Sequence, residues 1–162
     1  MEYYNNENMR RGDRSLTPEA AQRVLLDGEY GVLSVVEPLD KKVGGYGIPL
    51  NYVWDKGAFI YIHSALKGHK LACVDFCPNV SFCVVGKAKL VANEFTTSFE
   101  SVIVRGRAER VTDATQRQRA LELLLKKFSP EHLEEGMKCI EEYFNSTAIL
   151  RLRISSISGK GK

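Results

Sequence analysis

Between Tyr30 and Ser64 the chain devotes three successive runs, GVLSVVE, YGIPLNYVWD and AFIYIHS, to β-branched and aromatic residues, with only short polar breaks between them. Connections that short cannot carry a crossover, so these strands are expected to pair antiparallel. The last two are parted by Asp55-Lys56-Gly57, a break of hairpin length. VSFCVVGKAKLV and SFESVIVRGRAERV add two further strands, the second long enough to need a bend, for which Gly106 is the expected place. STAILRLRIS closes the set: Ala148, Leu150, Leu152 and Ile154 alternate with Ile149, Arg151 and Arg153, the period of a half-exposed strand. Six strands without regular strand-helix alternation imply an antiparallel α+β protein, and closing the sheet into a barrel would remove its edges.

The helical segments are punctuated by their own signals. Thr17-Pro18 reads as an N-cap followed by proline at the first helical position, with the helix ending at Gly28. A second helix is expected over Lys67 to Phe76, stopping before Pro78. Asp113 and Gln116 form a capping-box-like start, after which Ala120, Leu121, Leu124, Leu125 and Phe128 recur at helical spacing, a face that reads as core or dimer packing. Ser129-Pro130 is expected to begin one more helix by the cap-plus-proline logic, running through Leu133, Met137 and Ile140. Residues 1–15 read as a polar N-terminal arm carrying Arg10, Arg11 and Arg14, part of a single domain spanning 1–162.

Several function classes drop out. A net charge of +3, evenly spread, argues against nucleic acid or an anionic membrane as partner, and Arg105, Arg107 and Arg110 read as one solvated strand face. No window approaches the roughly 20 apolar residues of a membrane span, and the amino terminus lacks the apolar core of a signal peptide, so a cytoplasmic protein is expected. Cys73, Cys77, Cys83 and Cys139 lack the dense pairing of a secreted scaffold and read as reduced thiols. His69, Cys73 and Cys77 fall on one helical face, but with no CxxC pair or second cluster no metal site is expected. Gly44-Gly45-Tyr46-Gly47 precedes a strand, where a dinucleotide fingerprint must follow one.

The chemistry concentrates in IYIHSALKGHKL, residues 60–71, where a strand gives way to a helix. A bound phosphate needs converging donors, and a helix start supplies backbone N–H groups together with the positive end of the dipole. Ser64 adds a hydroxyl, Gly68 lets the backbone approach closely, and Lys67 and Lys70 add charge. The same residues also suit a plainer helix capped by Ser64 with two solvated lysines. In the preceding strand, Pro49 marks an edge, a bulge or a site lining, and the Asn51 amide can both donate and accept.

Four segments carry a resemblance: IPLNY at 48–52, IHSALKGHK at 62–70, NVSFCVV at 79–85 and FESVIVRGRAERV at 99–111. In order and spacing they resemble the pyridoxamine 5′-phosphate oxidase-like flavin-binding split barrels, and more narrowly the branch that includes the 5-nitroimidazole-resistance proteins. MRRGDRSL at 9–16 and ISGKGK at 157–162 fit that branch too. The resemblance implies a six-stranded antiparallel split β-barrel with flanking helices, forming a homodimer with flavin at the subunit interface. FMN is the implied cofactor, with FAD accommodated in some relatives. It places Ile48, Pro49, Leu50 and Asn51 along the isoalloxazine, and His63, Ser64, Ala65, Lys67, Gly68, His69 and Lys70 around the phosphate. Ser98, Phe99, Glu100, Ser101 and Val102 would reach the flavin from the partner subunit, with Phe99 standing where many relatives carry tyrosine. The implied activity is reduction of a nitroaromatic or similar flat acceptor, with NAD(P)H or another reductant as electron source. Alternatives are another flavin oxidoreductase of the pyridoxamine-phosphate-oxidase type and a flavin carrier without turnover. His63 is the candidate proton donor, although a structural hydrogen bond suits it equally.

Overall fold

The computed structural model describes residues 1–7, 9–39 and 42–162. One antiparallel sheet holds β1 (Tyr30–Leu39), β2 (Lys42–Asn51), β3 (Val53–Trp54), β4 (Phe59–Ala65), β5 (Asn79–Val91), β6 (Thr96–Arg110) and β7 (Thr147–Gly161). Their order across the sheet is β2-β1-β5-β6-β7-β4-β3. The α+β class and the antiparallel pairing hold. The six-stranded closed barrel does not, because YGIPLNYVWD is broken in two. Its first part, β2, pairs with β1 as far as Tyr30↔Asn51, and its second, β3, pairs with β4 at Val53↔Tyr61 and Trp54↔Ile60.

This break dictates the shape of the sheet. β2 and β3 are its opposite edges, six interstrand spacings or about 29 Å apart if the sheet were flat, yet only Tyr52 separates them in the chain. Two peptide units span at most about 7 Å. The sheet must therefore roll until its edges face each other, leaving a split that is crossed by the chain itself rather than by a ladder. Tyr52 is fully buried at the crossing. Its hydroxyl donates to the Leu25 carbonyl at 2.7 Å, and its ring meets Phe82 edge-on at 4.9 Å.

Two helices plug the roll. In α1 (Pro18–Asp27) the Thr17 side chain accepts from the Ala20 amide, and Ala21, Val24 and Leu25 enter the core. α2 (His69–Phe76) contributes Leu71, Cys73 and Val74 to the same cluster, which also holds Leu33, Phe82, Val104 and Leu152. A smaller outer cluster joins Ala120 and Leu124 of α3 (Ala114–Phe128) to Val53, Tyr61 and Ile149. The Asp113 cap forms as expected, accepting from the Gln116 amide at 2.8 Å. The expected helix start at Ser129-Pro130 is corrected: α4 begins at Leu133. Ser129 closes α3, its N–H bonded to the Leu125 carbonyl, and its own carbonyl then accepts from His132 N–H in a turn that defers the next helix to an N-cap at His132. α4 (Leu133–Tyr143) then folds back on α3 at Gly136, where a Cβ would lie 2.2 Å from Leu125 Cδ1.

The bend in β6 sits where glycine predicted it, with the register against β7 shifting between Arg105 and Gly106. A Cβ at Gly106 would meet the Arg153 carbonyl oxygen at 2.0 Å. The polar arm is pinned rather than loose. Asn5 N–H donates to the Ile157 carbonyl at 2.8 Å, Leu16 N–H to that of Gly159 at 3.0 Å, and Tyr4 OH to the Leu16 carbonyl. Replacing Tyr52→Phe keeps the ring packing and strips the dry Leu25 carbonyl of its donor. Denaturant unfolding is expected to show a loss of about 1–3 kcal/mol.

Candidate functional site

The strand-to-helix corner is built by a glycine. Gly68 stands at the N-cap of α2 with φ of +152°, an angle that side chains rarely adopt, and no heavy atom lies within 4 Å of where a Cβ would be. No side chain caps this helix. Leu71 and Ala72 N–H both turn back to the Gly68 carbonyl, at 3.1 and 3.2 Å. The His69 and Lys70 amides precede the first acceptor of the helix and face outward at its positive end. Ser64 is not the cap. It lies inside β4 on the core side, 6% exposed, and its Oγ has no hydrogen-bond partner among the described residues. The plainer reading of this segment, a Ser64-capped helix, therefore fails, and a buried hydroxyl is left in want of a partner close to an open helix start.

Along β2 the side chains alternate. Ile48 and Leu50 pack on the core, while Pro49 and Asn51 point outward. Asn51 Nδ2 donates to the Glu29 carbonyl at 2.9 Å, which fixes the amide and leaves Oδ1 to accept from a ligand. Across the split, His63 sits opposite Ile149 on the outer face of β4, and Ala65 is exposed beyond it. His63 keeps a solvent-accessible side chain on this face, and partial desolvation, with the Lys70 charge second, pushes its pKa down.

His69 is held elsewhere. Its Nε2 lies 2.6 Å from Glu37 Oε1 and 3.6 Å from Cys73 Sγ, and its ring stands edge-on to Tyr46 at 4.8 Å. What the corner can take from His69 is therefore its backbone amide. Cys77 makes no such contact, and among the described residues no three His, Cys, Asp or Glu side chains are grouped to hold a metal. Lys67 is exposed and Lys70 half-buried.

The β6 segment lies apart. Two strands, β1 and β5, separate it from β2 in the sheet. Ser98 is exposed and its hydroxyl donates to the Lys162 carbonyl at 2.9 Å; Glu100 pairs with Arg23 at 3.0 Å. Phe99 and Ser101 are half-buried, and the Val102 side chain is wholly in the core.

Sequence reasoning missed a cavity of about 590 Å³ between α3, α4 and the split, which Asn51 and His63 also line. The apolar period of α3 was visible, but it divides: Ala120 is spent on packing, while Leu121, Leu125 and Phe128 face the cavity.

A rolled sheet with an anion-ready helix start on one lip and an outward-facing amide on the other defines a split-barrel protein. The chain belongs to the pyridoxamine 5′-phosphate oxidase family, whose model matches residues 17–161. Among solved structures it is similar to a candidate 5-nitroimidazole antibiotic resistance protein of Bacteroides thetaiotaomicron (TM-score 0.73, 17% identity, 89% of this chain and 83% of that one). It is also similar to an FAD and heme binding protein of Mycobacterium smegmatis (0.76, 16%, 92% and 73%) and an FAD-binding protein of Mesorhizobium loti (0.65, 23%, 92% and 97%). No curated protein sequence matches the chain.

The unpartnered hydroxyl makes a directional prediction. Ser64→Ala removes an unsatisfied buried group, so the ligand-free protein is expected to be unchanged or more stable by up to about 1–3 kcal/mol in denaturant unfolding. His63 makes another. Because folding lowers its pKa, the unfolded chain binds the extra proton first, and stability falls as pH drops from about 6.5 through the folded value. His63→Gln should lack that part of the pH dependence, read as Tm from pH 7.5 to 5.

Proposed function

We propose that the protein is a flavin-dependent oxidoreductase that reduces a nitroaromatic or similar flat, electron-poor acceptor. The observation that carries this reading is the pairing of the Ser64–Gly68–Lys70 corner with the Asn51 edge across one split. One lip suits the phosphate and the other the hydrogen-bonding edge of a flavin ring. The residues fit the group: an orphan hydroxyl, two outward amides and two lysines are what a phosphate dianion requires. FMN needs nothing more, and FAD would extend past the same corner. When bound, the flavin supplies transfer of two electrons as hydride, with NAD(P)H as reductant. The chain's part is to fix the phosphate, to present Asn51 Oδ1 to a ring N–H, and to keep His63 neutral as a hydrogen-bond donor beside the ring.

We propose a homodimer as part of the same reading. Register carries the outward row Pro49–Val32–Cys83–Ile103 across four strands, and Val85 beside it is 57% exposed. No described helix covers this β-branched face, and a second copy packed there would bring Ser98 to Ser101 of the partner toward the split. We propose a cytoplasmic location on the four free cysteines; among the described residues no helix is long and apolar enough to cross a membrane.

The purified protein is expected to be yellow and to bind FMN stoichiometrically. Lys70→Met should weaken FMN binding by about 10- to 100-fold, the worth of one charge-assisted bond. Anaerobic titration with NADH or NADPH followed by a nitroimidazole tests turnover. Reoxidation by the acceptor supports the reductase; a flavin that binds yet stays inert to both would make the protein a carrier.

A further inference from the structure

The cavity between α3 and α4 has a chemistry of its own. Leu121, Leu125 and Phe128 of α3 and Ile140 of α4 wall it, and its floor reaches Asn51 and His63 at the split. No lysine or arginine is among its described lining residues, and the one acidic residue there is Glu135. A phosphorylated substrate or a dinucleotide pyrophosphate would find no counter-charge there and one carboxylate opposing it. The apolar walls instead reward burial of an uncharged ring system. At about 590 Å³ the space falls in the range that takes a drug-sized ligand, well beyond a single five-membered ring. Hydrogen-bonding groups enter from two walls, His63 from the sheet and Ser129 and His132 from the turn between the helices. A flat molecule with acceptor oxygens on opposite edges matches that pattern.

We infer that this cavity is the acceptor site of the reaction proposed above, and that it takes an uncharged two- or three-ring quinone whose oxygens face His63 and the α3–α4 turn. The inference rests on the flavin reading for its electron source. The quinone gains two electrons and two protons, a hydride from the reduced cofactor and a proton from solvent, and leaves as hydroquinone. A reduced nicotinamide dinucleotide restores the electrons. His63 positions the quinone oxygen by donating a ring N–H from the floor of the cavity.

The test reads binding rather than turnover. Cys139 is a free, exposed thiol on the cavity rim, so its alkylation by a maleimide, followed by mass spectrometry, reports occupancy. The probe is 2,3-dimethyl-1,4-naphthoquinone, whose substituted ring does not add thiols. With FMN-loaded protein, labelling of Cys139 is expected to slow by about tenfold at about ten times the Kd. Pyridoxamine phosphate should give no protection. Ile140→Trp, which fills the cavity from α4, should abolish protection by the quinone while FMN uptake and Tm confirm the fold. Unchanged labelling with the quinone would overturn the inference. So would equal protection by pyridoxamine phosphate, or FMN alone shielding Cys139 with nothing added by the quinone, which would give the cavity to the cofactor. If the protein takes up no flavin, the function proposed above fails by itself. The labelling of flavin-free protein then still decides the cavity, with protection supporting the site and its absence refuting it.

Discussion

The structure hangs on Tyr52. It is the one residue between the two edges of the sheet, and it is wholly buried. Its hydroxyl ties the crossing to α1 through the Leu25 carbonyl, its ring leans on Phe82 of β5, and Lys127 of α3 caps the ring face at 4.1 Å. The same lysine donates to the Gly28 carbonyl at 2.6 Å, closing the contact between α3 and the end of α1. Helix, strand and outer layer thus meet on one side chain, and the distance between the lips of the split is set there. A sheet that rolled less would draw Asn51 away from His63, and the two would no longer line one cavity.

Around that crossing the protein departs from what is best for stability alone. A serine hydroxyl is buried without a partner, and a glycine holds an angle of +152° at a helix start with open space beyond it. The unpaired hydroxyl is unfavourable, the glycine conformation is closed to other residues, and the two lie within five residues of one another at the strand-to-helix corner. Such local costs gather where a ligand repays them. The outward row across β2, β1, β5 and β6 is a third departure, since apolar side chains on an uncovered sheet face gain nothing in a monomer.

Much of this was legible in the chain. The strands announced themselves through β-branched runs, α1 and α3 through Thr17 and Asp113, and the β6 bend through Gly106, because each signal acts within a few residues of its effect. The break at Tyr52 was not legible. Tyrosine is a good strand former, and only a partner 27 residues earlier, Leu25, turns it inward. Ser129-Pro130 misled for a related reason: its local signal was real, but the preceding helix had already claimed the serine. The strand-to-helix turn at residues 63–70 was visible in the change of residue type, and the family in four motifs in order. The α3–α4 cavity was not, because a periodic apolar face does not say which of its members pack and which are left open.

The hairpin that links the two lips is short and tightly fastened. Asp55 Oδ1 accepts from both the Gly57 and Phe59 amides, at 2.8 and 3.0 Å, and the Trp54 indole donates to the Gly57 carbonyl at 2.9 Å. Everything from Ile48 to Lys70 is consequently one uninterrupted stretch of chain, carrying both lips of the split and the turn that spaces them. Yet the stretch is anchored from outside, Asn51 by the Glu29 carbonyl and Tyr52 by that of Leu25, so its shape is inherited together with the turn that ends α1.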